Sequence, residues 1–70
     1  MKSRQCRAAR ALLDWDVQRL ADETGLSRAT IFRYESGSDS LFSNVEKMRK
    51  ALEDEGIEFI GETGVNLKKG

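Results

Sequence analysis

Gly25 separates two short segments of helical apolar periodicity, and this arrangement limits the chain to few folds. Before it, and after the N-cap residue Asp16, four residues share one helical face: Val17, Leu20, Ala21 and Thr24. After it, Ser27 can cap a segment that turns Ile31 and Tyr34 to one side. Glycine adopts a left-handed conformation without steric cost, so the chain can turn sharply there. The pattern predicts two short helices packed across a tight turn.

Two further segments also have helical periodicity. Residues 3–13 place Cys6, Ala9 and Leu13 on one stripe, which predicts an amphipathic first helix. The fourth helix is predicted to begin at a capping box formed by Ser43 and Glu46 and to stop at Gly56. Its apolar face is formed by Val45, Met48, Ala51 and Leu52.

The last part of the chain alternates apolar and polar residues, as strands do. Two such runs, 57–60 and 65–68, flank the turn residues 61–64 and predict a β-hairpin. Four of its residues can share one face: Ile57, Phe59, Val65 and Leu67. The predicted fold is mainly α, with four helices over residues 1–56 and a C-terminal β-hairpin over 57–70.

Composition excludes several classes of protein. The chain has no histidine and a single cysteine, Cys6, so an intrachain disulfide is impossible and a nitrogen and sulfur metal site lacks ligands. It also has no activated nucleophile, no glycine-rich phosphate loop and no metal-ligand cluster. We therefore expect no catalytic residues, no metal, no cofactor and no enzymatic activity. With no apolar run that could span a bilayer and no secretory signal, the expected location is cytoplasmic, away from the membrane.

The charge pattern bears on the expected partner. The formal net charge is zero, whereas a basic domain is the usual expectation for a nucleic-acid binder. Residues 1–37 carry seven Lys and Arg against five Asp and Glu, so the basic side chains lean towards the N-terminal half. Attraction to phosphate would have to come from a local patch and would be sensitive to salt.

Two short helices joined by a glycine-containing turn can project the second helix into a DNA major groove. The span from Asp16 to Gly37, DVQRLADETGLSRATIFRYESG, resembles the lambda-repressor-like (XRE-type) helix-turn-helix family. The small Ala21, the permissive Gly25 and the apolar anchors Leu20, Leu26, Ile31 and Tyr34 carry this resemblance. It covers roughly residues 3–55, and the predicted hairpin stands where the family has a fifth helix.

The resemblance implies roles for residues of the second helix of the motif. Members of the family contact base edges through the residues at the positions of Arg28, Ala29, Phe32 and Arg33. They contact phosphate through the residue at the position of Ser27. Arginine can bond guanine in two places, and Ala29 or Phe32 can pack on a thymine methyl group. The family also often pairs residues at the positions of Arg10 and Glu35, which predicts a structural ion pair.

Further phosphate contacts are predicted from chemistry alone. Gln18 and Arg19 lie near the start of the second helix, and Ser38 follows the third, where side-chain donors commonly meet the DNA backbone. Each of the arginines could instead be a solvated surface charge. Phe32, an aromatic residue on a polar helix face, indicates a partner, which could be DNA or protein.

The hairpin leads to a prediction about assembly. An isolated two-stranded sheet is marginal in water and has open edges, so a second copy is the expected cover. Ile57, Phe59, Val65 and Leu67 are the predicted interface of a C2 homodimer. The function predicted is a small transcriptional regulator, a repressor that reads a palindromic operator in double-stranded DNA, with no small-molecule effector evident. The alternative is an interaction module, such as an antitoxin that neutralises a partner protein and autoregulates.

Overall fold

The computed structural model describes residues 1–68 and contains four helices and two strands. They are α1 (Ser3–Leu13), α2 (Val17–Thr24), α3 (Arg28–Glu35), α4 (Phe42–Asp54), β1 (Ile57–Ile60) and β2 (Gly64–Leu67). The predicted mainly helical fold with a C-terminal hairpin is confirmed. Lys69 and Gly70, the end of the predicted 57–70 segment, lie outside the described residues.

The turn between α2 and α3 forms as its local sequence predicts. Asp16 Oδ1 accepts a hydrogen bond from the Arg19 backbone N–H at 2.8 Å, and Ser27 Oγ accepts one from Thr30 at 3.1 Å. Gly25 has φ = 75°, and its N–H donates to the Ala21 carbonyl at 2.9 Å. A side chain at this glycine would meet no neighbouring atom, so the backbone angle, and not space, is what favours glycine.

The core lies where the four helices meet. Its largest fully buried apolar side chains come from three helices: Leu20, Ile31, Met48 and Leu52. The first helix adds Cys6 and Ala9 of its predicted stripe, and Leu13, the third residue of that stripe, packs against the core while only partly buried. Ala21 is also buried, and its small side chain suits a crossing of α2 and α3. This packing fixes the direction in which the opposite face of α3 points.

The predicted capping box at the start of α4 is wrong. The helix begins at Phe42, so Ser43 lies inside its first turn and cannot cap it. The Leu41 carbonyl accepts hydrogen bonds from the N–H groups of Asn44 and Val45 at 3.0 and 3.1 Å, and no side chain caps this end. Glu46 pairs with Arg49 instead.

The predicted hairpin forms, and β2 begins and ends one residue earlier than the predicted run 65–68. Ile57 pairs with Leu67 and Phe59 with Val65, so these four side chains share one face. That face packs on the core formed by the helices of the same chain, and Ile57 is almost fully buried. The helices of the same chain therefore cover this face of the hairpin. Its four side chains do not form an open apolar face for a second copy.

One buried polar side chain ties the hairpin to the first helix. The Gln5 amide nitrogen donates to the carbonyls of Gly61 and Gly64 at 3.0 and 2.9 Å, and its oxygen accepts the Lys2 backbone N–H at 2.8 Å. Gln5 is only 1% exposed. Since all these bonds involve backbone groups, the amide fixes the two ends of the β1–β2 turn against the start of α1.

Candidate nucleic-acid interface

The outward face of α3 carries the four residues expected to meet base edges. Ile31 and Tyr34 are buried on the inner face, and the opposite face exposes Arg28, Ala29, Phe32 and Arg33. Phe32 is 56% exposed, which leaves its ring available to a partner. The structure therefore brings together on one surface two arginines, a methyl group and an aromatic ring.

The two arginines of this face are free of carboxylate partners within residues 1–68. The ion pairs found there engage other cations, including Arg10, Arg19 and Arg49. An arginine without a carboxylate retains all five N–H donors in their planar fork. Arg28 and Arg33 can therefore donate to a phosphate or to a guanine edge without first breaking an ion pair.

Ser27 lies at the N-terminus of α3 and is exposed there. Its hydroxyl accepts the cap hydrogen bond from the Thr30 N–H and also shares a hydrogen bond with the Thr30 hydroxyl at 2.9 Å. The oxygen is thus mainly engaged in holding the helix start. A contact between Ser27 and DNA phosphate stays a prediction.

Gln18 and Arg19, the predicted phosphate contacts of α2, both make bonds within their own helix. The Gln18 amide donates to Asp22 Oδ1 at 2.8 Å, and Arg19 Nε donates to Glu23 Oε2 at 3.0 Å. The Arg19 guanidinium also stacks on the Trp15 ring, 4.7 Å from its centroid. A cation over an indole face is stabilised by the ring quadrupole, so Arg19 is held in place against Trp15.

The predicted phosphate contacts do not all lie together. Gln18 lines one shallow groove with Arg28 and Phe32, so it shares the exposed surface of α3. Ser38 lies in the loop after α3, where its N–H donates to the Arg33 carbonyl at 3.0 Å. It lines a different groove, beside Phe42.

Arg10 and Glu35 form a two-bond ion pair behind the exposed face of α3. Arg10 Nη2 lies 2.6 Å from Glu35 Oε1, and Nε donates to Oε2 at 2.7 Å. The third donor, Nη1, bonds the Trp15 carbonyl at 3.0 Å. The hydrogen bonds that Arg10 donates to Glu35 raise the pKa of the Arg10 guanidinium. One side chain of α1 thereby ties the end of α3 to the α1–α2 turn.

The same carboxylate has a second donor. Cys6 Sγ lies 3.2 Å from Glu35 Oε2 and donates its S–H to it. Burial, followed by the charge and the hydrogen bond of Glu35, raises the pKa of the Cys6 thiol far above its ordinary value. Cys6 therefore stays neutral as a donor. The sequence had indicated only a small buried side chain at this position.

Trp15 is a residue of this region that the sequence interpretation did not single out. It is buried in the α1–α2 turn, its carbonyl accepts from Arg10, and its ring is covered by Arg19. Trp15 directly precedes the N-cap Asp16, and a residue at that position often packs on the first turn of the helix, which was the signal that could have revealed its contact with Arg19.

Residues 1–68 contain no group of three or more side chains placed to hold a metal ion. None of the four helices is long and apolar enough to cross a membrane.

A family model described as a helix-turn-helix matches residues 7–58. The chain belongs to this helix-turn-helix family. This family is of the lambda-repressor-like (XRE) type, which the resemblance of the sequence predicted. Its members are DNA-binding transcription regulators that are typically not enzymes. The chain is therefore a DNA-binding helix-turn-helix regulator. Comparison with curated proteins and with solved structures finds no match.

The family match assigns roles to elements of the fold. It runs from within α1 through α4 and ends within β1, so β2 lies beyond it. In this arrangement α2 braces α3, and α3 is the recognition helix. The base contacts expected of the exposed side chains of α3 stay a prediction.

Proposed function

We propose that the chain is a transcriptional repressor that reads a palindromic operator as a homodimer, through Arg28 and Arg33 of the recognition helix. The observation that carries the proposal is the exposed face of α3, where Arg28 and Arg33 share one surface with Phe32 and make no ion pair within residues 1–68. An arginine bonds the O6 and N7 atoms of guanine in the major groove more readily than any other base edge. The proposed half-site therefore contains guanine.

The contacts proposed around this face divide by function. Arg28, Ala29, Phe32 and Arg33 meet base edges, whereas Gln18 and Ser27 lie nearer the helix starts and meet phosphates. Arg19 and Ser38 complete the backbone contacts. Arg19 can reach a phosphate in two ways. It can break its bond to Glu23, or it can keep that bond and donate from its two other nitrogen atoms. Phosphate contacts position the protein, and base contacts specify the sequence.

Electrostatics sets the expected affinity. With a formal net charge of zero, the chain has no long-range attraction to DNA, and its binding depends on the local cations around α3. Removing a side chain that neutralises one phosphate lowers the slope of log K against log salt by about 1. The proposed complex is thus of modest affinity and salt-sensitive, and two copies on adjacent half-sites raise the affinity for a complete operator.

The experiment that tests the proposal is binding-site selection from a random duplex library with the full chain, followed by titration of the selected duplex. The expected product is an inverted repeat with guanine in each half and half-site centres about one helical turn, roughly 34 Å, apart. A reporter gene with this operator overlapping its promoter is then expected to be silenced. Selection of no sequence over the starting library would contradict the proposal.

The exposure of Phe32 also favours a second candidate function, in which the chain neutralises a partner protein and regulates its own synthesis. An aromatic residue on the polar face of a helix suits a protein surface as well as a thymine methyl group. Phe32→Ala distinguishes the two. Loss of preference at one operator position favours DNA reading, whereas unchanged operator binding leaves the ring for a protein partner.

A further inference from the structure

The two side chains of α2 that are proposed to meet DNA phosphates are already bonded to carboxylates of the same helix. The Gln18 amide donates to Asp22 Oδ1 at 2.8 Å, and Arg19 Nε donates to Glu23 Oε2 at 3.0 Å. Each acceptor lies four residues beyond its donor, one helical turn further along α2. A phosphate that approaches either donor therefore meets a carboxylate that is bonded to it first.

The arginines of α3 that are proposed to meet base edges have no such partner. Within residues 1–68, Arg28 and Arg33 take part in none of the ion pairs. Backbone contacts are available on duplexes of every sequence, whereas base contacts depend on the sequence. A carboxylate bonded to a backbone donor such as Arg19 therefore opposes the part of DNA binding that all sequences share.

The ion pair of Arg19 and Glu23 is accessible and contributes little to the fold. The Arg19 side chain is 52% exposed and that of Glu23 is 41% exposed, and exposed pairs add little to stability. On a helix, a pair with the acid before the base is the more stable one, and here the order is reversed. Glu23 also lies in the last turn of α2, where the helix dipole disfavours a negative charge. A phosphate can consequently replace this carboxylate at low cost.

Trp15 gives the Arg19 guanidinium a second support that does not involve Glu23. The guanidinium lies 4.7 Å from the centroid of the Trp15 ring, and Trp15 itself is buried in the α1–α2 turn. The bond to Glu23 uses Nε, so the two terminal nitrogen atoms of the fork can face solvent or a ligand. The cation is therefore held in the first turn of α2, and the carboxylate beside it reduces its attraction for phosphate.

From these contacts we infer that Glu23 competes with DNA phosphate for Arg19 and thereby lowers the affinity of the chain for duplex DNA of any sequence. The inference deepens the proposed function and rests on the phosphate contact proposed there for Arg19. With a formal net charge of zero, the chain depends on a few local cations for its attraction to phosphate, so one carboxylate beside one of them matters. The base contacts of α3 carry no such penalty, so they determine where the chain stays bound.

The test measures the affinity of the full chain for a duplex of random sequence, by fluorescence anisotropy at one fixed low salt concentration. Glu23→Gln keeps the size of the side chain and removes its charge, and it is expected to raise the affinity by about 2- to 5-fold. Glu53→Gln is the matched control, because it removes an equally exposed carboxylate that pairs with Arg49 four residues before it on α4. Both variants change the net charge by the same amount, and the control is expected to raise the affinity less.

The same variants in Arg19→Ala separate competition for Arg19 from simple repulsion of DNA. Arg19→Ala is expected to lower the affinity, and adding Glu23→Gln to it is expected to raise the affinity no more than adding Glu53→Gln does. The inference is overturned if Glu23→Gln and Glu53→Gln act equally in the parent chain, if Glu23→Gln acts as strongly in Arg19→Ala as in the parent, or if Arg19→Ala leaves the affinity unchanged. Because the duplex has random sequence, these outcomes do not depend on base reading by α3, which the binding-site selection tests separately.

Discussion

The Arg10 guanidinium and the Glu35 carboxylate face each other through two parallel hydrogen bonds of 2.6 and 2.7 Å, with Glu35 only 5% exposed. This pair joins α1 to the last residue of the recognition helix. Arg10 Nη1 also donates to the Trp15 carbonyl, so one side chain holds both the end of α3 and the α1–α2 turn. The pair thus anchors the C-terminal end of α3 to α1.

Removing one member of the pair is therefore expected to be costly. Arg10→Met leaves the buried Glu35 carboxylate without its cation, and we expect a loss of about 3–5 kcal/mol in the free energy of unfolding, measured by urea denaturation. Replacing both residues, as Arg10→Met with Glu35→Leu, is expected to recover much of that loss, because no uncompensated charge remains. Equal destabilisation by the single and the double variant would contradict this account.

Gln5 is expected to control the hairpin. Gln5→Ala leaves the carbonyls of Gly61 and Gly64 without their donor, and we expect a decrease of about 1–3 kcal/mol in the free energy of unfolding. The effect should be local first, with faster hydrogen exchange of the β1 and β2 amides than of those in α3. Gln5→Glu tests the donor specifically, since a carboxylate of nearly the same shape cannot donate to two carbonyls. Destabilisation by Gln5→Glu should diminish at acidic pH, and its absence at neutral pH would contradict the role.

The raised pKa of Cys6 predicts a dependence of stability on pH. A thiol whose folded pKa lies above its unfolded value of about 8.5 contributes fully below that pH, because both states are then protonated. As the pH rises above it, the unfolded thiol ionises and the folded one does not, so stability falls. The difference in free energy of unfolding between the chain and Cys6→Ala, followed by urea denaturation from neutral to alkaline pH, should shrink above the thiol pKa. A constant difference would contradict the shift.

Variants of Arg19, which stacks on Trp15, can distinguish a structural role of this side chain from a contact with DNA. Arg19→Ala removes a half-exposed ion pair and the stacked cation, and we expect a loss of stability of no more than about 1 kcal/mol. If Arg19 also meets phosphate, affinity should fall equally for all DNA sequences, with a shallower salt dependence. Arg19→Lys should retain part of this affinity. A change in sequence preference would contradict a backbone contact.

Much of the helical core could be predicted because its signals are local. The caps at Asp16 and Ser27 and the left-handed Gly25 fix the ends of α2 and α3 within a few residues of sequence. The start of α4 was misassigned because Ser43 and Glu46 match a capping pattern that the chain does not use. The first residue of α4 is set by the position of Leu41 at the end of the preceding loop. That position depends on the folded molecule and not on local sequence.

The apolar and polar pattern of the sequence could not predict contacts between residues far apart in the chain. Alternation shows that Ile57 and Phe59 share a face, and it does not show whether that face meets the same chain or another. The polar Gln5 gives no sign that its partners lie 56 and 59 residues away. The resemblance placed Arg10 and Glu35 as a pair, and their tight geometry and the additional bond from Cys6 emerged only from the fold.

Base reading by Arg28 and Arg33 can be measured by repeating the binding-site selection with Arg28→Ala, Arg33→Ala and the control Arg4→Ala, which removes an exposed arginine from α1. Each recognition-helix variant is expected to lose preference for guanine at one position of the half-site, by about 5- to 150-fold. Arg4→Ala is expected to select the unchanged sequence. If all three variants select the same sequence as the parent chain, with the same preference at every position, base reading by these arginines is wrong.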